Sequence, residues 1–386
     1  MIRPASSSRI VAREDEVARI GVGIIGVSAT GGWAGRAHIP ALSSLPEFEI
    51  RVVAGSDAER ADNAARHFGL AEAVGDHLRL VGRADVDLVI VTVRVPAHRM
   101  LVDAALDAGK AVFCEWPLGR DAADAKAMLD HALRRNLFHV VGLQARANPA
   151  VRYVRELVAA GYVGEVLSAS VVAPGMGWSD VAPQRGLYTL DAGSGATMLQ
   201  IPFGHAVDAL CWCLGEFREL NAVTAVRQPD VRVKETGEMV VKTAADQIAV
   251  IGRLESGAVA SVHMRGGVSR MTNLLFEIKG AAGELALRSE GGQMQQSSSL
   301  MVWGGQGGAP LTPMPAPAHL IAAPDAPLGD PFNIAQGYRL LARGLGGMPG
   351  ACPTFADALV RHRLLETIEQ AAATGCSTSP LPRPWR

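Results

Sequence analysis

The sequence lacks an excess of charge of either sign. Across 386 residues, 37 Lys and Arg stand against 38 Asp and Glu, a net charge of −1 at pH 7. Such a balance offers no electrostatic footprint for nucleic acid or an anionic membrane surface, so neither partner is expected. Long apolar runs are missing too, and no segment reaches the length that crosses a bilayer. Cysteine is scarce and odd in number, five in all, with only Cys211 and Cys213 close together. That set shows no zinc-site spacing, so no metal is expected and a reducing cytoplasm fits best. Residues 1–18 carry charges but no apolar stretch of the kind a signal peptide needs, and are read as an N-terminal arm. There is no internal repeat. What the chain does have is a hydrophobic share of 48%, enough at this length for two domains with sizeable cores.

The chain is organised around residues 20–42, IGVGIIGVSATGGWAGRAHIPAL. Its short apolar run, ended by Gly26, reads as a strand buried on both faces. A loop of small residues follows, and then a helix start. Strand, glycine-rich turn and helix together aim unpaired helix N–H groups at a pyrophosphate. Gly26, Ser28, Ala29, Trp33 and Ala34 are therefore cofactor candidates. The turn fits G-x-G-x-x-G through Gly31 only if Ser28 replaces the middle glycine. Alternatively Gly35 is the helix-packing glycine and the loop is longer.

Further strands are read at 48–54, 88–93, 111–114 and 139–143, alternating with helices at 58–68, from His98 to about Ala108, and at 121–136. That alternation predicts a doubly wound parallel sheet, in which ligands sit beyond the carboxyl ends of the strands. Val93, Arg94, His98, Glu115, Trp116 and Gln144 fall there. At the second strand's end, an acidic residue would bind the 2′-hydroxyl of the adenine ribose. Here Ser56 and Asp57 come one and two places late, with Arg60 nearby, and an N-capping role suits Asp57 equally well. NAD and NADP remain equal alternatives. The expected division is an arm at 1–18, a Rossmann domain at 19–145 and a second domain at 146–386. Residues 291–330, rich in Gly, Ser and Pro, are read as an irregular excursion or lid rather than core.

Several of these motifs in this order resemble the Gfo/Idh/MocA oxidoreductase family. They are the Gly-rich turn with Ala37-His38-Ile39-Pro40-Ala41-Leu42, Ala108-Gly109-Lys110, Glu115-Trp116-Pro117-Leu118, Gln144-Ala145-Arg146 and Gly204-His205-Ala206-Val207-Asp208. The similarity spans roughly residues 20–290. The resemblance implies a Rossmann domain followed by an α/β domain with a large, mostly antiparallel open sheet, assembled as a dimer or tetramer. It also implies a sugar- or polyol-like substrate.

Two departures stand out. Most catalytic members have lysine where this chain has Trp116, and indole N–H cannot titrate usefully. The dehydrogenases also usually carry aspartate four residues before the histidine, where this chain has Ile201. Both departures, with the long loop around Trp33, resemble the branch of the fungal galactose-regulon repressor, which implies cofactor binding more strongly than catalysis.

His205 is the catalytic candidate, because alcohol oxidation needs a proton acceptor and histidine titrates near neutrality. Asp208, one helical turn on, would orient its ring. Trp116, Arg146, Trp178 and Tyr188 are the substrate candidates, Trp116 as a wall against the nicotinamide or the substrate. The expected function is an NAD(P)-dependent oxidoreductase with His205 as general acid/base. The alternatives are a dinucleotide-binding regulator without turnover, or an enzyme using bound NAD within glycoside cleavage.

Overall fold

Six strands carry the dinucleotide-like half of the chain: β1 (Ile20–Ile25), β2 (Phe48–Ala54), β3 (Ala73–Val74), β4 (Leu88–Val91), β5 (Ala111–Glu115) and β6 (His139–Gly142). All pair in parallel, in the order β3-β2-β1-β4-β5-β6. This is the doubly wound arrangement whose order reverses beside β1, the place where such sheets bind dinucleotides. β1 and β4 are buried along nearly their whole length, as near-continuous apolar strands covered on both faces must be. The computed structural model describes residues 19–270, 273–289, 299–348, 350 and 352–380. The expected arm at 1–18 lies outside the described residues.

The helices between these strands follow from local signals. Helix α1 (Ile39–Ser43) continues a helical turn over Ala34–His38. Helix α2 (Ala58–Phe68) starts at Asp57, whose side chain caps the Arg60 N–H, and stops at Gly69 in the left-handed region, φ 64°. Its inward residues are Ala61, Ala64 and Ala65, small enough for close approach to the sheet. Helices α3 (His77–Val81), α4 (His98–Asp107) and α5 (Ala122–Arg135) complete the windings.

The chain forms two compact units, and a single cut at 145/146 does not separate them. The first unit takes the residues up to Leu118, then Lys126–Gly142 and Ala323–Ala356; the second takes Gly119–Ala125, Leu143–Ala322 and everything from Asp357 on. Helix α8 (Asp330–Leu345), expected in the second domain, thus belongs to the first. The reason is its apolar stripe: Ile334, Ala335, Tyr338 and Leu341 join Leu42, Phe48 and Phe113 in one buried cluster.

In the second unit, helix α6 (Pro149–Ala159), capped by Asn148, precedes β7 (Val166–Gly175) and β8 (Val181–Ala182). Helix α7 (Gly204–Leu214) follows, then β9 (Phe217–Ala225), β10 (Asp230–Val233), β11 (Met239–Val241), β12 (Gln247–Leu254), β13 (Val259–Gly266), β14 (Leu275–Gly280) and β15 (Gly283–Ser289). The last strands are β16 (Leu300–Gln306) and β17 (Thr312–Met314), and helix α9 (Phe355–Thr374) comes last. Eight strands make one sheet, β17-β16-β15-β14-β7-β13-β12-β9, antiparallel except where β7 meets β13. A small sheet, β11-β10-β8, stands apart from it. Along β12, Ile248, Val250 and Leu254 are buried while Ala249, Ile251 and Arg253 are exposed, the period-two pattern of a sheet with one core face.

β16 and β17 correct the reading of 291–330 as an excursion or lid. Leu300–Gln306 pairs residue for residue with β15, and Val302 is buried. Three of the residues that suggested a loop sit inside paired strands: Gly304 and Gly305 face β15, and Pro313 lies on the edge strand β17, where a missing N–H costs no ladder bond. Residues 291–298 lie outside the described residues.

Candidate functional site

The phosphate turn begins where β1 ends. Gly26 has φ 104° and donates its N–H to Ala54 O at 2.9 Å. Ser28 Oγ and Thr30 Oγ1 are 3.1 Å apart, and the Arg36 N–H reaches Gly32 O at 3.2 Å, so helical turns start just past Gly32. The first-turn N–H groups of such a helix have no intrahelical partner, and Ser28, Ala29 and Trp33 lie only half-buried ahead of them. The structure also decides which glycine packs the helix. A Cβ on Gly35 would lie 2.5 Å from Phe68 Cζ, whereas Gly31 sits in the loop at φ 121°. A Gly26→Ala substitution places Cβ 2.8 Å from Val93 Cγ1 and 2.9 Å from Thr92 O. With the φ penalty, we expect a cost of about 1–3 kcal/mol, read as a lower urea midpoint, together with weakened dinucleotide binding.

At the other strand ends, Glu115 closes β5 and is almost buried. Its Oε1 lies 2.9 Å from His38 Nε2. His38 Nδ1 in turn is 2.5 Å from the Tyr338 hydroxyl, and both rings are buried. Burial pushes the Tyr338 hydroxyl well above its usual pKa, and the nearby Glu115 charge adds to this. Glu115 is thus held from beneath by α8 through His38. His38 and Tyr338 were absent from the expected site residues. The signal for His38 was a histidine on an apolar helix face; Tyr338, 300 residues away in sequence, gave none.

Trp116 is buried at 4% exposure, and Arg94 is exposed at the turn before α4. His98 is tied to the backbone on both sides of its ring. Its Nδ1 faces Pro117 O at 2.9 Å and its Nε2 faces Val93 O at 3.0 Å, so both nitrogens are turned to backbone carbonyls. Burial lowers its pKa against the pull of those carbonyls. Its task is to tie the β4 turn to the segment after β5.

In the second unit, His205 is the second residue of α7 and is 4% exposed. Helical turns over Leu199–Phe203 precede it with Pro202 inside, which accounts for the long spacing from Gly195. Both oxygens of Asp208, one turn on from His205, accept from guanidinium groups. Arg146 Nε and Nη2 reach Oδ2 and Oδ1 at 2.9 and 2.7 Å, and Arg361 Nε reaches Oδ1 at 3.2 Å. Burial alone would raise the Asp208 pKa; Arg146 first, and then Arg361, bring it below the ordinary value. Arg146 Nη1 also meets Asp357 at 2.8 Å, so the guanidinium bridges two carboxylates. Gln144 is buried, opening the turn that carries Arg146.

Trp178 is tied to its own loop. Its indole Nε1 donates to Thr189 O at 3.0 Å, and the ring is 7% exposed. The loop around it is anchored by Lys242, whose ammonium donates to Trp178 O and Ser179 O at 3.1 and 3.3 Å and pairs with Asp246 at 2.9 Å, fully buried. That lysine was missed because an isolated lysine near a strand end reads as solvated. Tyr188 is half-buried on the turn Gln184–Leu190. Among the described residues, no group of three or more His, Cys, Asp or Glu side chains is placed to hold a metal. Among the same residues, no helix is long and apolar enough to cross a membrane.

Residues 20–143 match the oxidoreductase family model with the NAD-binding Rossmann fold, and residues 149–289 match the model of the Gal80p C-terminal domain. Residues 20–143 thus carry a Rossmann domain of the Gfo/Idh/MocA oxidoreductase type, and residues 149–289 resemble the Gal80-type domain. The chain is 35% identical over 217 residues to dehydrogenase aclE of Aspergillus oryzae, covering 55% of this chain and 59% of that one. It therefore spans less than two thirds of that relative. It is 28% identical to the levoglucosan dehydrogenase of Pseudarthrobacter phenanthrenivorans, over 70% of this chain and 74% of the relative. The crystal structure of a super-repressor mutant of Gal80p from Saccharomyces cerevisiae superposes with TM-score 0.84 at 23% identity, covering 94% of this chain and 98% of that one. At that identity the likeness is one of fold.

Proposed function

We propose that the protein is a nicotinamide-dinucleotide-dependent oxidoreductase acting on the carbinol or carbonyl group of a sugar- or polyol-like substrate, with His205 as general acid/base. The observation that carries this reading is the phosphate turn: Gly26 at positive φ, small half-buried residues after it, and a helix start aimed over the carboxyl end of β1. These residues fit a dinucleotide pyrophosphate, and Glu115, beside His38, ends β5 at the carboxyl edge where such sheets bind their ligands. Bound dinucleotide supplies the hydride carrier. His205 then takes the hydroxyl proton as the carbon loses its hydride, and returns it in the reverse direction. The relatives named as dehydrogenases, one of them for levoglucosan, support a carbohydrate substrate.

A second reading has its own support. Trp116 stands where a titrating lysine is usual, and the second unit matches the Gal80p C-terminal model. It makes the protein a dinucleotide-binding regulator without turnover. One experiment separates the two. The purified protein is titrated with NADH and NADPH by fluorescence, then incubated with NAD or NADP and a panel of sugars, anhydrosugars and cyclic polyols. Reduced-cofactor absorbance from any substrate supports the enzyme; binding with no reduction across the panel supports the regulator. Failure to bind either dinucleotide removes both.

A further inference from the structure

The adenosine end of the turn holds information that the motif comparison does not. In a doubly wound sheet, the residues that follow the second strand meet the 2′ position of the adenine ribose. A carboxylate there favours a free hydroxyl, and a nearby arginine accommodates a phosphate. β2 ends at Ala54, and the next residue is Gly55, whose N–H is bound to Val74 O at 3.3 Å. A Cβ on Gly55 would stand 2.9 Å from the Ala61 nitrogen and 3.1 Å from its Cα. Helix α2 thus packs so tightly on the strand end that no carboxylate-bearing side chain fits there.

The next two side chains are Ser56 and Asp57, both exposed. Asp57 is already occupied. Its Oδ1 accepts the Arg60 N–H at 2.9 Å as the cap of α2, while its Oδ2 accepts the Ser56 hydroxyl at 3.1 Å and lies 3.5 Å from Arg60 Nε. Arg60 Nη1 also donates to Ser56 Oγ at 3.2 Å. A hydroxyl and a guanidinium therefore meet at this corner. The Asp57 carboxylate touches both and caps the helix, its charge countered by Arg60 and by the helix N-terminus.

We propose that Ser56 and Arg60 form a 2′-phosphate subsite, so that the protein prefers NADP(H) to NAD(H). This deepens the dinucleotide reading above and rests on it. The guanidinium fork suits phosphate oxygens, the Ser56 hydroxyl adds a donor, and Gly55 keeps the approach clear. Arg60 is the residue that discriminates, because its charge meets only the phosphorylated ribose.

Fluorescence titration of the full-length protein with NADPH and with NADH tests this without any turnover. The expected result is tighter binding of NADPH. For Arg60→Ala, the NADPH/NADH affinity ratio should fall by about 10- to 100-fold, the worth of a hydrogen bond to a charged group. A smaller fall is expected for Ser56→Ala. Adenosine 2′,5′-bisphosphate should displace bound NADPH at lower concentration than AMP does, and lose that advantage in Arg60→Ala. Thermal melting confirms that both variants are folded. Tighter binding of NADH by the unaltered protein, or an affinity ratio unmoved by Arg60→Ala, overturns the subsite while leaving the dinucleotide reading intact. Binding of neither dinucleotide overturns the subsite and the reading together.

Discussion

His205→Asn should lower kcat on any substrate found in the panel by about 10²- to 10⁴-fold, the usual worth of a positioned acid/base. Dinucleotide affinity should stay within about twofold. Proton transfer and cofactor binding fall to different parts of the chain. The phosphate turn, the β2 corner and Glu115 all belong to the first unit, whereas His205 sits in the first turn of α7 in the second. Asparagine keeps a polar side chain of similar reach at a buried position but cannot accept a proton at neutral pH. Loss of turnover with cofactor binding retained supports the assignment. Undiminished turnover in the variant eliminates His205 as the proton acceptor.

The largest expected effect on stability is at Asp208. Asp208→Ala should cost about 3–5 kcal/mol, because breaking a buried ion pair leaves its partners uncompensated. The carboxylate is fully buried and accepts from both Arg146 and Arg361. Arg361 retains Glu216, at 3.1 and 3.0 Å, and Arg146 retains Asp357, but neither replaces the lost acceptor. Because the folded-state pKa of Asp208 lies below its ordinary value of 3.8, the contribution is complete above that value and is lost as pH falls through the folded pKa. The unaltered protein should therefore lose stability below about pH 4, and the variant should lose less over the same interval. Urea midpoints at pH 7 and pH 3 measure both effects, and an unchanged midpoint at pH 7 would refute the ion-pair assignment.

The parts legible in the sequence were those written in short-range pattern. The apolar run 20–25, the alternation through 143 and the helix start at Asp57 all predict elements that form, since burial and capping act within a few residues. The glycine-rich turn was legible except for the choice between Gly31 and Gly35, which depended on Phe68, distant in sequence. What stayed hidden was the use of polar groups. His98, Arg146 and Trp178 have the chemistry of ligands, yet backbone carbonyls or carboxylates brought in by the fold occupy them. Lys242 and Tyr338 show the reverse case: unremarkable in sequence, they anchor the residues around Trp178 and Glu115. Side-chain type reveals what a residue can bind, but its partners are fixed by contacts between distant segments.

The return of α8 to the first unit also sets an order of synthesis. A ribosome emits the six parallel strands early, yet the face formed by Leu42, Phe48 and Phe113 waits for Ile334, Tyr338 and Leu341. The second unit's sheet is made in between, so its strands emerge while the dinucleotide half is still open on one side. Domains made early generally fold early during translation; here the earliest-made half is completed among the last. Until Tyr338 arrives, His38 lacks its hydroxyl partner and Glu115 lacks the support behind its histidine. A nascent chain stopped before residue 330 would therefore carry the whole glycine-rich turn without the backing that holds it in place.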